Sequence, residues 1–175
     1  MEIFYKTISE LESMLDSKEI SAVELAKAVI ERKNSVDGKV GAFLSANEDE
    51  LLAEASISDS LRAEGKKRGA LEGIPIGLKD VLAVRGQKLT CASKILENYV
   101  SPYTASSLEK LKSRGGIFWG RLNMDEFAMG SSSETSCFGG SFNPHNPNHV
   151  AGGSSGGAAS CVSGNIAVFG LGSDT

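Results

Sequence analysis

Apolar residues recur at helical spacing through the first third of the chain. Two capping-box patterns, Thr7 with Glu10 and Ser21 with Glu24, stand directly before such runs. In a capping box the hydroxyl and the carboxylate bond backbone N–H groups that a helix N-terminus leaves without partners. The pattern therefore predicts that the chain is mainly helical up to about Gly69.

The predicted helices have defined inward faces. In the second helix one apolar stripe is formed by Val23, Ala26, Val29 and Ile30. A third helix is predicted for Glu48–Ala63, and its inward positions are Leu51, Leu52 and Ala55. A charged turn bounded by glycine follows at residues 64–69 and ends the helical part.

The pattern changes after Leu71, where short apolar runs alternate with helical segments. Buried strands are predicted at Ile74–Leu78, Ile117–Gly120 and Ile166–Leu171. Helices are predicted at Thr104–Arg114 and Ser154–Val162. This alternation predicts the α/β class, with one domain that has a helical part, 1–69, and an α/β core, 70–175.

Two further features concern the sheet and its loops. Pro75 lies inside the first predicted strand and lacks an N–H donor, which argues against a central ladder position unless that donor is not needed. Ser131–His149 is rich in Ser, Asn, Gly and Pro and is predicted to be one long polar loop. Loops longer than ~12–15 residues are usually functional or disordered.

The charge balance narrows the classes of function. The chain has 18 basic and 22 acidic side chains and a formal net charge of −4. No overall electrostatic attraction to nucleic acid is therefore expected. If RNA is involved, a partner or another region must supply most of the phosphate contacts.

The cysteines and the apolar runs predict a location. Cys91, Cys137 and Cys161 are odd in number and show no C-x-x-C spacing, which argues against a disulfide scaffold or a zinc site. The N-terminus lacks a signal or transit pattern. No apolar run reaches the ~18–20 residues that a membrane span requires. We expect a cytoplasmic protein with no membrane contact.

The segment Val150–Gly157, V-A-G-G-S-S-G-G, places Ser154 and Ser155 between two glycine pairs. It can be interpreted as a flexible linker, as a phosphate cradle at a helix N-terminus, or as a catalytic turn whose glycines let a substrate approach closely. The segment runs directly into a helix-forming stretch, which weakens the linker interpretation. Neither a P-loop nor a G-x-G-x-x-G pattern is present.

Lys79 follows the apolar run of G-I-P-I-G-L-K-D. A lone lysine is usually a solvated surface residue, but this one is predicted at the end of a buried strand. Loss of solvation favours the neutral amine, which is the form that a general base needs. A nearby carboxylate would oppose this, so the hypothesis requires that Asp80 point away.

Other residues give weaker signals. His145 and His149 lie four apart, but in a proline-broken loop rather than on a helix face, and we predict no metal site. A Ser-His-Asp triad that uses either histidine is possible, but a serine–lysine system fits better. Asp125 and Glu126 are adjacent, and adjacent residues do not share a helical face. They are interpreted as acidic residues favoured at a helix N-terminus.

Several segments together resemble the amidase signature family. They are G-I-P-I-G-L-K-D, N-P-H-N-P-N-H-V-A-G-G-S-S-G-G and F-G-L-G-S-D-T, in the family's order and spacing. Two more, N-M-D-E-F-A-M-G-S-S and T-C-A-S-K-I-L-E-N-Y-V, resemble the branch of A subunits of glutamyl-tRNA(Gln) amidotransferases. The resemblance implies a mixed central sheet wrapped by helices, of which this chain is the N-terminal part.

The resemblance also implies roles for residues, because the family uses a serine–cis-serine–lysine triad. Lys79 matches the base. Ser154 matches the bridging serine, and its peptide bond from Gly153 is expected to be cis. Ser155 is expected to support this network by hydrogen bonding.

Two more parts of the family's site have counterparts here. The stretch formed by Ala128, Met129 and Gly130 matches a loop that approaches the substrate amide, and Thr175 matches part of the oxyanion-hole backbone. In the family the attacking serine belongs to a G-S-D-T-G-G-S motif, which places it three residues after Thr175. The chain is therefore expected to be truncated before the nucleophile and inactive by itself.

The implied activity is hydrolysis of glutamine through an acyl-serine, with release of ammonia. The implied partners are amidotransferase subunits B and C and, through the complex, Glu-tRNA(Gln). No cofactor is expected on this chain, since ATP and Mg²⁺ are used by the partner subunit. Two alternatives stay open: an amidase of the same family that acts on small amides, and a catalytically inactive fragment with at most a binding role.

Overall fold

A four-stranded mixed sheet organises the chain, in the computed structural model that describes residues 3–174. The strands of the whole fold are β1 (Phe43–Ala46), β2 (Pro75–Lys79), β3 (Ile117–Leu122), β4 (Phe142–Asn143), β5 (Asn146–Val150) and β6 (Phe169–Leu171). The sheet has the order β1-β3-β2-β6, and β4 and β5 form a separate two-stranded hairpin. β1 is antiparallel to β3, whereas β3, β2 and β6 are parallel. The predicted α/β class with a mixed sheet is confirmed.

Within residues 3–174, five α-helices surround this sheet: α1 (Ile8–Asp16), α2 (Ala22–Val40), α3 (Glu48–Ala63), α4 (Ser106–Ser113) and α5 (Gly156–Ser163). Short 3-10 turns lie at Ile3–Tyr5, Lys94–Leu96 and Glu126–Ala128. Both predicted capping boxes form, at Thr7 and at Ser21. The third predicted helix has the predicted bounds. In the part of the chain that the structure describes, no helix is long and apolar enough to cross a membrane.

The two faces of the sheet carry different apolar cores. The larger core joins residues of α1, α2, α3 and α5 to β3, including the fully buried Leu51 and the nearly buried Trp119. The smaller core places Leu108 of α4 against Ile76 and Leu78. Since side chains alternate along a strand, Lys79 lies on the other face of β2 from Ile76 and Leu78. Helix α5 also contacts β2.

The helical part is not purely helical, and this corrects the prediction for residues 1–69. Phe43–Ala46 forms β1, which pairs with β3 at the edge of the sheet. Four residues between two helices are too few for a periodic signal. The strand is fixed by its pairing with β3 and by contact of the Phe43 and Trp119 rings, whose centroids are 5.0 Å apart.

β2 takes a central position, between β3 and β6, with Pro75 as its first residue. Pairing with β6 begins only at Ile76, so the N–H donor that Pro75 lacks is not needed in that ladder, which is the condition under which a central position was allowed. Proline is tolerated at the first residue of a strand for this reason.

The predicted long loop and the last predicted strand need correction as well. Within residues 131–149 the chain forms β4 and most of β5, whose residues are largely exposed and pair across a tight turn. The last strand begins at Phe169 and is half-buried, whereas Ile166 and Ala167 are buried before it. Ile166 instead donates its N–H to the Cys161 carbonyl at the end of α5.

Candidate active site

The carboxyl ends of three neighbouring parallel strands meet at one edge of the sheet. Lys79 is the last residue of β2, Asp125 follows the end of β3 by three residues, and Ser173 follows the end of β6 by two. Parallel strands in register bring such positions together, and open α/β sheets commonly bind ligands at this edge. The Ser154–Ser155 turn approaches from the start of α5.

Lys79 is fully buried at this edge. Its Nζ donates to Ser154 Oγ at 2.6 Å, to Ser155 Oγ at 2.9 Å and to Ser173 Oγ at 2.9 Å. An ammonium has three N–H donors, so each of them has a hydroxyl acceptor. The structure thus brings together Lys79, Ser154 and Ser155, as expected, and adds Ser173, which the sequence analysis did not identify as a site residue.

Burial and nearby charges act in opposite directions on the protonation of Lys79. Burial lowers the pKa of Lys79 below its ordinary value, and the negative charges of Asp125 and Asp174 act against that shift. Asp80 does point away: its carboxylate accepts from Arg121 Nε at 2.9 Å and from the Thr90 N–H at 2.9 Å. The adjacent charge is thus neutralised by an arginine on the next strand.

The double serine does not cap the helix that it precedes. Ser155 occupies the N-cap position of α5, but its hydroxyl makes no capping bond. The hydroxyl donates to the Ser173 carbonyl at 2.9 Å and accepts from the Ser173 N–H at 3.2 Å. The peptide bond from Gly153 to Ser154 is cis, as the resemblance implied.

Asp125 is a second residue that the sequence analysis missed. It is fully buried and stands at the N-cap position of a 3-10 turn, where its side chain makes no capping bond; Glu126 is the acid in the first turn. Its backbone N–H donates to the Ser154 carbonyl at 3.2 Å. The available signal was its position directly after a buried strand parallel to the one that ends in Lys79.

The other predicted site residues lie farther from the lysine. Ala128 is buried with Ala92 and Met124, whereas Met129 is 76% exposed. Gly130 is exposed and packs against Asp125. Asp125 thus connects the stretch of residues 128–130 to the Ser154 turn. Thr175 lies outside the described residues.

The two histidines lie away from this site. His145 and His149 are both exposed, in the turn and the second strand of the β4–β5 hairpin. Across residues 3–174, no group of three or more His, Cys, Asp or Glu side chains is arranged to hold a metal ion.

The amidase family model matches residues 24–175, so the chain belongs to the amidase family. Among its relatives, the A subunit of the glutamyl-tRNA(Gln) amidotransferase from Endomicrobium trichonymphae is 48% identical over 174 residues, which are 99% of this chain and 36% of that protein. The resemblance inferred from the motifs is therefore confirmed.

Solved structures agree on the fold. The A subunit of the glutamyl-tRNA(Gln) amidotransferase from Thermotoga maritima is 36% identical with a TM-score of 0.80, over 97% of this chain and 34% of that one. A vestigial protein complex described as revealing the origins of an s-triazine catabolic enzyme is 31% identical with a TM-score of 0.92, over 97% and 37%. This chain thus spans about a third of the length of the proteins that it matches.

Proposed function

We propose that this chain is part of the glutamine-hydrolysing A subunit of a tRNA-dependent amidotransferase, which supplies ammonia to convert Glu-tRNA(Gln) to Gln-tRNA(Gln). The observation that carries the proposal is the fully buried Lys79, with Nζ within 2.9 Å of three serine hydroxyls. The names of the most similar relatives support the choice of substrate. On this proposal residues 1–175 form the N-terminal part of a single amidase domain.

The proposed first step is acylation of a serine. The attacking serine is the one that the family motif places three positions after Thr175. Its Oγ bonds to the amide carbon of glutamine, while its proton passes to Ser154 and the Ser154 proton passes to neutral Lys79. The tetrahedral intermediate then collapses, and the leaving nitrogen takes the proton back along the same route and departs as ammonia.

The second step is hydrolysis of the acyl-serine. A water molecule attacks the ester carbon while its proton passes to Ser154 and the Ser154 proton passes to Lys79. The tetrahedral intermediate then collapses, and the departing serine Oγ takes a proton back along the same route, which releases glutamate and restores the serine. Ser155 and Ser173 hold Lys79 Nζ against Ser154 in both steps through their hydroxyls. We assign the backbone of Ala128, Met129, Gly130 and Thr175 to the surroundings of the substrate amide and its oxyanion.

The proposed partners follow from the relatives' names and from the charge of the chain. A net charge of −4 offers no overall attraction to tRNA, so amidotransferase subunits B and C would provide the tRNA contacts. ATP and Mg²⁺ would be used by the partner subunit, which activates the glutamyl group of Glu-tRNA(Gln). On this chain we assign no cofactor and no metal.

The test uses the extended chain, meaning a chain that continues through the proposed attacking serine, in complex with its partner subunits. We expect Lys79→Ala and Ser154→Ala each to lower kcat/KM for glutamine hydrolysis by ~10²–10⁴-fold, the usual contribution of a general base. The matched control is Lys94→Ala, which removes a lysine that is 72% exposed. Full activity in Lys79→Ala would overturn the proposal, and so would faster hydrolysis of small amides than of glutamine.

The pH profile provides an independent check. Only the neutral amine accepts a proton, so kcat/KM should rise as pH increases through the pKa of Lys79. Because burial lowers that pKa, this rise should occur below the ordinary lysine value of about 10.4. Residues 1–175 alone should show no hydrolysis, since on this proposal the attacking serine lies outside them.

A further inference from the structure

The carboxylate of Asp125 is held by polar hydrogens from the loop that follows it. Oδ2 accepts from the backbone N–H of Ser132 at 3.2 Å and of Ser133 at 2.9 Å. Oδ1 accepts from Thr135 Oγ1 at 2.9 Å. These contacts fold residues 125–135 into a closed loop around one fully buried acid.

The same residue contacts the Gly153–Ser154 turn. Its backbone N–H donates to the Ser154 carbonyl at 3.2 Å. A methyl group at Gly153 would overlap Asp125 Oδ2, and one at Gly130 would lie 2.5 Å from Oδ1. Only glycine, which has no Cβ, allows the carboxylate to approach both segments this closely. Asp125 therefore lies between the loop of residues 128–130 and the bridging serine.

The charge of Asp125 also acts on the lysine. It is the larger of two carboxylate influences that raise the pKa of Lys79 against the effect of burial, and the other comes from Asp174 after β6. Asp80, the acid next to Lys79 in sequence, is paired with Arg121. The side-chain hydrogen bonds that hold Asp125 come instead from backbone N–H groups and a hydroxyl, none of which carries a charge.

We propose that Asp125 is a positioning residue of the Lys79–Ser154 site: it fixes the turn that carries Ser154, and its carboxylate acts electrostatically on the lysine amine. The kinetic test of this inference rests on the proposed function. The second test observes the lysine directly and does not depend on that function.

Asp125→Asn separates charge from geometry. The asparagine Oδ1 can take the place that accepts from the Ser132 and Ser133 N–H groups. Its Nδ2 then faces the Thr135 hydroxyl, which can turn and accept, because a hydroxyl both donates and accepts. The substitution thus keeps all three contacts and removes one negative charge. Asp125→Ala removes the charge and the contacts together.

Two kinetic results are expected in the extended chain. In Asp125→Asn, the acid limb of the kcat/KM profile should move to lower pH, since a lysine without that negative neighbour loses its proton more readily. In Asp125→Ala, kcat should fall by ~100-fold or more, because small misplacements of reacting groups cost that much. The matched control is Glu126→Gln, which removes a charge one residue away, from a side chain that accepts from Ser93 Oγ at 2.6 Å. Its acid limb should not move.

The second test is NMR of the extended chain labelled with ¹³Cε-lysine. The Lys79 signal is assigned as the one missing in Lys79→Arg, and its titration is followed in wild type, Asp125→Asn and Glu126→Gln. We expect the Lys79 titration to move to lower pH in Asp125→Asn alone. Superimposed titrations of wild type and Asp125→Asn would overturn the inference, even if Asp125→Ala fails to fold.

The two proposals fail in different ways. A wild-type extended chain that does not hydrolyse glutamine would overturn the proposed function, and the NMR titration would still decide the role of Asp125. A wild type that hydrolyses glutamine, together with an Asp125→Asn variant of unchanged pH profile, would overturn only the inference.

Discussion

The helical layer and the serine–lysine site of this protein are built from contacts of very different range. In the helical layer, formed by α1, α2 and α3, the capping contacts join residues three apart, as between Ser21 and Glu24. In the site, the three hydrogen bonds of Lys79 span 75, 76 and 94 residues. The first region is specified by neighbours in the sequence, and the second by the pairing of β3, β2 and β6.

The acids near Lys79 illustrate the difference. Asp80 is next to the lysine in sequence, but its carboxylate is bonded to Arg121 and Thr90. Asp125 is 45 positions later than Asp80 and yet acts on the lysine through space. In the site, distance along the chain says little about which charges interact. This contrast predicts that some substitutions will damage one region and leave the other unchanged.

The largest expected effect is on the core beneath the helical layer. Leu51 is fully buried, so Leu51→Ala should lower the free energy of unfolding by ~2–5 kcal/mol, the usual cost of such a truncation. The measurement is urea unfolding of the extended chain. Leu52→Ala, at a half-buried position on the same helix, should cost less. The pH profile of kcat/KM should stay unchanged in both variants. A displaced acid limb in Leu51→Ala would show that the core of the helical layer and the serine–lysine site are not independent.

An intermediate effect is expected for Gly153→Ala, which damages the site. The added methyl would overlap the Asp125 carboxylate and would come within 2.7 Å of the Ser132 N atom, so the turn that carries Ser154 must move. We expect kcat to fall by ~100-fold. Gly38→Ala is the control: Gly38 lies in α2 with nothing within 4 Å of an added Cβ, and the change should stabilise by ~0.5–1 kcal/mol. Wild-type turnover in Gly153→Ala would mean that the close approach is dispensable.

The smallest effect is expected for the cap of α2. Ser21 Oγ accepts from the Glu24 N–H at 3.1 Å, so Ser21→Ala should cost ~1 kcal/mol of stability and leave glutamine hydrolysis unchanged at 25 °C. Thermal unfolding measures the loss. Ser35→Ala, which removes a hydroxyl that bonds the Arg32 carbonyl on the same helix, should leave Tm unchanged or raise it. An equal loss of stability in both variants would show that the capping hydrogen bond of Ser21 stabilises α2 no more than the hydroxyl of Ser35 does.

The parts that the sequence predicted correctly share one property. α1, α2 and α3 have local signals, because a cap and a 3.6-residue period occupy a few neighbouring residues. The strand that delivers Lys79 was predicted from its apolar run, and the cis peptide before Ser154 from the family's motif. The roles of Lys79, Ser154, Ser155 and the 128–130 stretch stay predictions.

The parts that the sequence did not predict depend on distant pairing. β1 is four residues long, and only its contact with β3 makes it a strand. Pro75 argued against a central strand until the register showed that pairing with β6 begins one residue later. Ser173 and Asp125 lie in motifs that indicate the family, but those motifs did not indicate a contact with Lys79 or with the Ser154 turn.

The sequence by itself determined the helices, the α/β class and the family, because each of these is encoded in short segments with fixed spacing. The tertiary structure alone decided that Ser173 and Asp125 join Ser154 and Ser155 around the lysine. Three parallel strands end at one edge, and their register places Ser173 on Lys79 Nζ and Asp125 beneath the Ser154 turn. Charge and hydrogen bonding act through space, so the chemistry of Lys79 is a property of that register.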